Sequence, residues 1–181
     1  MDIETERLNL RLVPLAGLAA TAAKDLAACR NILGLSLNDE WLEESWVAEL
    51  RLRQWTDNPA YGPWSIRAIG LKETGDVIGN INCHHVPMRF QLREKTCIAV
   101  EIGYTIFGAW RRQGFATEAI HGLALWAETM GVEAIILSVS PGNAPSRSLA
   151  AKLGAAQIGS QIDDIHGPQD IFIGFIADFP R

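Results

Sequence analysis

The segment Arg111-Arg112-Gln113-Gly114-Phe115-Ala116-Thr117-Glu118-Ala119 constrains this chain most, because it joins two elements of different period. Before it, Cys97-Ile98-Ala99-Val100-Glu101-Ile102-Gly103-Tyr104 reads as a strand. After it, Ala116, Ala119, Ile120, Leu123, Ala127 and Met130 recur at three-to-four spacing and predict a buried helical face, with Gly131 as its stop. The first N–H groups of a helix have no partner inside it and sit at the positive end of its dipole. A short basic turn at that point is a place to hold an anion. Gly114 and Ala116 leave little side chain between a phosphate and the backbone, and Arg111 and Arg112 add charge. The ligand this suits is a phosphorylated cofactor. An ordinary strand-to-helix loop with a surface arginine pair is the competing reading. The three spaced glycines of a dinucleotide fingerprint are absent, as is the Gly-Lys-Ser/Thr of a Walker loop.

The 181 residues predict one domain, residues 1–181, with a real core. A hydrophobic share of 48% against 20% charged is a soluble globular balance. The net charge of −5 argues against a general nucleic-acid binder, which carries a basic face. No run is apolar enough to span a membrane. Met1-Asp2-Ile3-Glu4-Thr5-Glu6 is too polar for a signal peptide. Cys29, Cys83 and Cys97 are scattered, odd in number and free of C-x-x-C spacing, so neither a disulfide framework nor a metal site is expected. A reducing cytoplasm is the simplest compartment.

Glu6 to Val13 alternates polar and apolar side chains and predicts a half-buried strand closed by Pro14. Leu15 to Arg30 predicts one helix. A second is expected with Asn38 as its cap and Asp39 and Glu40 in its first turn. In it, Leu42, Trp46 and Leu50 and also Trp41, Ala48 and Trp55 would share one broad apolar face, ended by Asn58-Pro59 and Gly62-Pro63. Trp64 to Leu71 and Val77 to Val86 predict a hairpin turning at Glu73 to Asp76. Pro87 to Lys95 reads as a polar, basic connection before a strand from Thr96 to Phe107. Glu133 to Ser140 predicts an apolar strand and Asn143 to Leu153 a helix stopped at Gly154. Ala156 to Asp163 and Asp170 to Phe179 predict a final strand pair around His166-Gly167-Pro168. The order β-α-α-β-β-β-α-β-α-β-β is a mixed α/β (α+β) layer fold: about seven mostly antiparallel strands and about four helices, with β-α-β at its centre.

At this point the residues resemble a known family. Arg111-x-x-Gly114-x-Ala116 resembles the pyrophosphate motif of the GNAT acyl-CoA N-acyltransferases. Thr5-Glu6-Arg7-Leu8-x-Leu10-Arg11 is similar to the opening strand of the RimJ/RimL-like branch, and Glu101-Ile102-Gly103-Tyr104 to its fourth strand. Asn143-x-x-Ser146-x-x-Leu149-x-x-Lys152-Leu153-Gly154 is similar to its late helix. The resemblance covers nearly the whole chain in order. It implies a GNAT-like domain with acetyl-CoA as cosubstrate in a gap between the fourth and fifth strands. Tyr104, Thr105 and Ile106 would offer backbone groups to pantetheine. Arg111, Arg112, Gln113, Gly114, Phe115 and Ala116 would cradle the pyrophosphate, with Thr117 bonding a phosphate oxygen. Asn143, a helix cap by its own chemistry, would add a cofactor contact, and Ser148 and Lys152 are weaker candidates.

An amine attacking a thioester must lose a proton, which a nearby carboxylate can take. Glu101, in an otherwise apolar strand, is the candidate base, and desolvation there is expected to raise its pKa. The bland alternative is a strand-edge carboxylate facing solvent or an arginine. Many family members place a Tyr acid four residues before the closing glycine of the late helix; here that residue is Ala150, and Ser146 is the candidate donor to the leaving thiolate. Cys83-His84-His85 invites a metal reading, but neighbouring strand side chains face opposite sides, so a core cysteine with surface or acceptor-site histidines is expected. His121 and His166 are isolated. Trp41, Trp46 and Trp55 are expected in the core, as are Trp64 and Trp126, with a pocket wall as the lesser reading of the first three. Trp110 is placed to prop the phosphate turn.

The resulting expectation is an N-acetyltransferase acting on a primary amine, either a protein α-amine or a small molecule. A non-catalytic acyl-CoA-binding or regulatory module is the alternative, and a structural domain with a vacant cofactor gap is a third. No nucleic acid, membrane or metal partner is expected, and the sequence leaves a homodimer open.

Overall fold

The computed structural model describes residues 2–93, 95–164 and 167–179, so His166 lies outside the described residues. Among these, nine strands and five α-helices occur. The first half of the chain holds β1 (Ile3–Glu4), β2 (Leu8–Leu12), α1 (Leu15–Ala22), α2 (Leu26–Leu33), α3 (Ser45–Asp57), β3 (Arg67–Leu71) and β4 (Val77–Cys83). It is followed by β5 (Met88–Leu92), β6 (Lys95–Ile106), α4 (Phe115–Thr129), β7 (Ala134–Val139), α5 (Ala144–Lys152), β8 (Ala156–Asp163) and β9 (Gly167–Phe175). The expected mixed, largely antiparallel architecture is present. The chain forms two compact units, Met1–Val86 with Tyr104–Gly122, and Pro87–Gly103 with Leu123–Arg181.

In the first unit β1 to β4 pair in sequence order, each antiparallel to the next. The expected first strand begins later than its alternation implied, because Thr5-Glu6-Arg7 is a turn. Thr5 N–H donates to the Leu8 carbonyl at 2.9 Å, and Leu8 N–H donates to the Thr5 hydroxyl at 3.0 Å. That turn folds β1 back on β2 and adds a strand the sequence had not suggested.

The helix expected from Leu15 to Arg30 is two helices. Lys24 takes a left-handed φ of 58°, and Asp25 caps α2 by accepting from Ala28 N–H at 2.9 Å. Alanine richness masked the break, since the Asp cap competes only once the chain has turned. The helix expected from Asn38 also breaks. Asp39–Leu42 is a single 3-10 turn without an Asn38 side-chain cap bond, and α3 starts only at Ser45. Trp41 therefore enters the core from its own turn, while Trp46 and Leu50, expected to share its face, are 45% and 38% exposed. Trp55 is half-buried against Gly62; α3 ends at Asp57, as Asn58-Pro59 implied, and Asn58 also caps the 3-10 turn that follows.

The core of this unit joins Val13, Leu18, Cys29, Leu33, Trp41, Ala48, Ile66, Ala68, Val77 and Phe107. A polar chain runs inside it: Trp41 Nε1–H donates to the Thr21 hydroxyl at 2.9 Å, and that hydroxyl donates to the Gly17 carbonyl at 2.9 Å. Trp64 is buried as expected.

In the second unit β5 pairs with β6, β6 with β7, β7 with β9 and β9 with β8. Among the described residues of this unit, only β6 and β7 run parallel, as a strand–helix–strand crossover requires. The segment Pro87 to Lys95, expected as a connection, contains β5. Its Phe90 and Leu92 alternate with Arg89 and Gln91 and pack on Cys97, Ala99, Ala134, Ile136 and Ile173. Five charged or amide side chains in that stretch hid a two-residue period. Along α4, Ala119, Ile120, Leu123 and Ala127 are buried as the spacing required; Met130, past its end, is 55% exposed, and Trp126 is half-buried.

Trp41→Ala should therefore destabilise the protein by about 3–5 kcal/mol, the range for a large buried aromatic. Trp46→Ala should stay within about 0.5 kcal/mol of wild type. Urea midpoints of the two variants check the contrast, and equal losses would contradict the break between the 3-10 turn and α3.

Candidate functional site

The first unit carries the phosphate-type turn. β6 ends at Ile106, a short 3-10 turn covers Gly108–Trp110, and α4 begins at Phe115. Between them Arg112 and Gly114 both take left-handed backbone, at φ 63° and 85°. Two such residues around Gln113 reverse the chain sharply and bring it to the helix start. Glycine bears that conformation freely; Arg112 does so against its side chain. The leading amides of α4, on Phe115, Ala116 and Thr117, precede any carbonyl of their own helix that could pair them. Arg111, Arg112, Gln113 and Gly114 are exposed, Phe115 is buried, and Ala116 and Thr117 are half-buried.

The two arginines differ in use. Arg111 Nε–H donates to the Ile106 carbonyl at 2.8 Å, which ties the turn to the strand end. It thus brings together Ile106 and the loop, two of the expected cofactor-contacting segments. Gln113 Nε2–H donates to the Ala109 carbonyl at 3.2 Å. Trp110 meets Phe115 edge to face, with centroids 6.3 Å apart at 64°, and so props the turn as expected.

Several residues at this place were not foreseen. The Glu118 carboxylate, one turn into α4, receives three bonds from the β1–β2 turn. The Thr5 hydroxyl and Arg7 N–H donate to Oε1 at 2.6 and 2.7 Å, and Arg7 Nε–H donates to Oε2 at 2.7 Å. Arg7 Nη1–H also donates to the Gln113 carbonyl at 3.2 Å, and the guanidinium lies 4.3 Å from the Phe115 ring centroid. Burial alone raises the Glu118 carboxyl, but the bonds from Thr5 and Arg7 outweigh it and hold it below the ordinary carboxylate value. Thr5 and Arg7 stood in the opening motif, yet nothing in its spacing linked them to residue 118.

The strand end is held from the other side. The Thr105 hydroxyl donates to Glu44 Oε1 at 2.8 Å, and Gly108 N–H donates to Glu40 Oε2 at 2.8 Å. Phe107 N–H donates to the Ile78 carbonyl at 2.8 Å, and a Cβ on Gly79 would stand 2.1 Å from the Thr105 carbonyl oxygen. Tyr104 and Thr105 are half-buried and Ile106 is buried.

Cys83, at the end of β4, is buried, and burial pushes its thiol up to about 12, so it is neutral. The His84 carbonyl accepts from Gln54 Nε2–H at 2.9 Å, while His85 Nδ1 lies 2.7 Å from the Val86 carbonyl. Both histidines lie in a bend beyond the end of β4, so the strand alternation expected of them does not apply. His121 sits half-buried on α4, and burial lowers its pKa.

The second unit carries the candidate base. β6 and β7 are in register at Ala99↔Ala134, Val100↔Ile135 and Glu101↔Ile136. Parallel partners present side chains to one face, so Ser138, two residues on, shares the face of Glu101. Its hydroxyl donates to Glu101 Oε1 at 2.6 Å. The half-buried carboxylate thus has one oxygen oriented by a neighbouring strand, a contact the sequence could not show.

Asn143 caps α5, its Oδ1 accepting from Ser146 N–H at 3.2 Å, which brings these two expected residues together. Arg147 pairs with Asp170 on β9 and lies 5.4 Å over the Phe172 ring, anchoring the helix. Ser146 is half-buried, Ser148 and Lys152 are exposed, and Ala150 is fully buried.

The acetyltransferase (GNAT) domain family matches residues 7–156. No curated protein matches the chain. Among solved structures, an acetyltransferase from Agrobacterium tumefaciens is similar at 24% identity over 96% of this chain and 93% of its own, with a TM-score of 0.62. The ribosomal-protein-S5-alanine acetyltransferase of Vibrio fischeri has 16% identity over the full length of both chains and a TM-score of 0.65. Mycobacterium smegmatis RimJ, solved with CoA-disulfide, has 18% identity over 100% of this chain and 90% of its own, with a TM-score of 0.64. At these identities the shared property is the fold.

A carboxyl held below its ordinary 4.5 stabilises the fold above that value and loses the contribution as pH falls through the lower native value. Glu118→Gln should therefore be less stable than wild type at neutral pH. The gap should narrow between neutral and acidic pH, as the wild-type carboxyl also takes up a proton. Urea denaturation of both proteins at the two pH values measures this; a constant gap would place the destabilisation elsewhere.

Proposed function

We propose, from the premise that the chain belongs to the GNAT acetyltransferase family, that it transfers the acetyl group of acetyl-CoA to a primary amine. The observation that carries the cofactor half is the turn before α4. With Arg112 and Gly114 both left-handed, the helix start follows a sharp basic reversal, and such a start fits a pyrophosphate. The family match runs from residue 7 to 156, which supports reading the chain as one acetyltransferase domain.

In the first unit we assign the backbone of Tyr104, Thr105 and Ile106 to the pantetheine arm. The segment from Arg111 to Ala116, with the Thr117 hydroxyl, is assigned to the phosphates. In the second unit Asn143 and Ser148 are assigned to further cofactor contacts. Acetyl-CoA supplies the activated thioester, so the chain has only to position it and manage protons. Glu101 takes a proton from the attacking amine, directly or through water. Its orientation by Ser138 supports this role. The amine nitrogen bonds the acetyl carbon, the carbon–sulfur bond breaks, and the Ser146 hydroxyl donates a hydrogen bond to the departing sulfur.

The acceptor is a protein N-terminal α-amine or a small-molecule amine. The structural likeness to the Vibrio fischeri ribosomal-protein-S5-alanine acetyltransferase and to RimJ supports the first and, with it, the RimJ/RimL-like branch. A second reading, a non-catalytic acyl-CoA-binding module, is favoured by Ala150, which is fully buried and offers no hydroxyl where many relatives carry an acid. Transfer to any amine in an acceptor screen rules it out.

Calorimetric titration with acetyl-CoA tests the cofactor site. Any residue replacing Gly114 is strained at φ 85°, so the cleaner variant is Ala116→Glu. A carboxylate in the first turn suits the helix dipole and should leave the fold intact. Facing the pyrophosphate, it should weaken acetyl-CoA binding by about tenfold or more. No binding by folded wild type overturns the acetyltransferase reading. Glu101→Gln should lower turnover by about 10²-fold at unchanged CoA affinity, and equal loss of both would make Glu101 structural.

A further inference from the structure

We propose that Arg7, locked by Glu118 and Thr5, is a positioning residue for the turn at the start of α4, and that this latch sets the turn's affinity for the phosphates of CoA. The inference rests on the cofactor reading above and adds residues outside the loop itself.

Arg7 touches the chain before, at and after the helix start. Its Nη1–H holds the Gln113 carbonyl, its guanidinium plane covers the Phe115 ring, and its Nε–H holds Glu118. A Cβ placed on Gly114 would stand 3.5 Å from Nη2, so the guanidinium flanks the left-handed residue as well. These contacts span the stretch whose backbone must present the leading amides of α4. The turn holds left-handed Arg112, a conformation that persists only where surrounding bonds over-determine it.

Glu118 is what keeps Arg7 there. Both of its oxygens are engaged by the β1–β2 turn, one by the Thr5 hydroxyl and Arg7 N–H together. Gly122 lies one helical turn further on the same face of α4, and a Cβ there would stand 2.5 Å from the Thr5 methyl. The missing side chain lets the helix come close enough for the Glu118 bonds to form. A planar fork is needed for this set of contacts, since an ammonium cannot reach Glu118 and Gln113 at once while covering a ring.

The latch and simple charge predict opposite signs at Glu118. A carboxylate near a phosphate site repels the ligand, so on charge alone Glu118→Gln tightens CoA binding. In the latch, an amide presents one oxygen to three donors and turns an N–H against Arg7. Calorimetric titration with CoA of wild type, Arg7→Lys, Arg7→Met and Glu118→Gln decides, with the melting temperature of each recorded. Amide exchange over residues 114–118 of the free proteins is measured in parallel.

We expect CoA affinity to fall by about tenfold in Glu118→Gln and in both Arg7 variants, with faster exchange across the turn. Should Arg7→Met fail to fold, the near-isosteric Arg7→Lys and Glu118→Gln carry the test. Tighter binding by Glu118→Gln, or wild-type affinity in Arg7→Lys, overturns the latch in favour of plain charge. Lower melting temperatures at unchanged CoA affinity overturn it in favour of a purely structural role. Absence of CoA binding by the wild type overturns the cofactor reading itself, an outcome distinct from wild-type binding that the variants retain.

Discussion

A half-buried carboxylate on α4 is the constraint on which the first unit turns. Glu118 is drawn partly out of water, and a charge placed so is costly unless it is paired and hydrogen-bonded. Its donors come from two residues, Thr5 and Arg7, and they can converge only because the chain reverses there. The Thr5 hydroxyl serves twice in that reversal, accepting from Leu8 N–H and donating to Glu118. The turn that creates β1 and the bonds that fix the helix are therefore one device. The backbone between Gln113 and Phe115 inherits its geometry from it through Arg7.

The second unit fixes its polar residues by a different route. Parallel register puts Ser138 on the face of Glu101, so the orienting bond follows from strand pairing alone. The helix that bears Ser146 starts at an Asn cap and is tied to β9 through Arg147, Asp170 and Phe172. Both anchors restrain a helix of nine residues, too short to be stable on its own in water. The Glu101 carboxylate is thus held by Ser138, a neighbour that the resemblance did not name.

How far the sequence could be read follows from these same contacts. The central strand, turn and helix were legible because each is written locally: β-branched and apolar residues, then glycine after an arginine pair, then three-to-four spacing. The hairpin at Glu73 to Asp76 and the Asn143 cap were legible for the same reason. The first helical region was not. Whether Trp41 and Trp46 share a face depends on one 3-10 turn ending at Leu42, and the apolar spacing is compatible with either outcome. β5 was hidden because three of its five residues are exposed, so its pattern carried only Phe90 and Leu92 as inward signals. Arg7 and Glu118 are 111 positions apart, and no spacing rule links residues at that distance.

This difference also explains why the proposed cofactor half is easier to read than the acceptor half. A phosphate is recognised largely by backbone amides and helix polarity, and the backbone shape needed for that leaves glycine and small residues in fixed order. The strand end before the turn obeys the same rule. Gly79 admits the Thr105 carbonyl, and Glu40 and Glu44 hold Gly108 and Thr105 in place. Side-chain arrangements carry no such local pattern: on α3, Arg51 reaches Asn82 on β4 at 3.0 Å and Gln54 at 2.7 Å. A buried guanidinium bonded across two elements can be found only once those elements are placed. Backbone-read chemistry is therefore written as a local pattern, whereas side-chain-read chemistry emerges only from tertiary packing, and the identity of the acceptor belongs to the second kind.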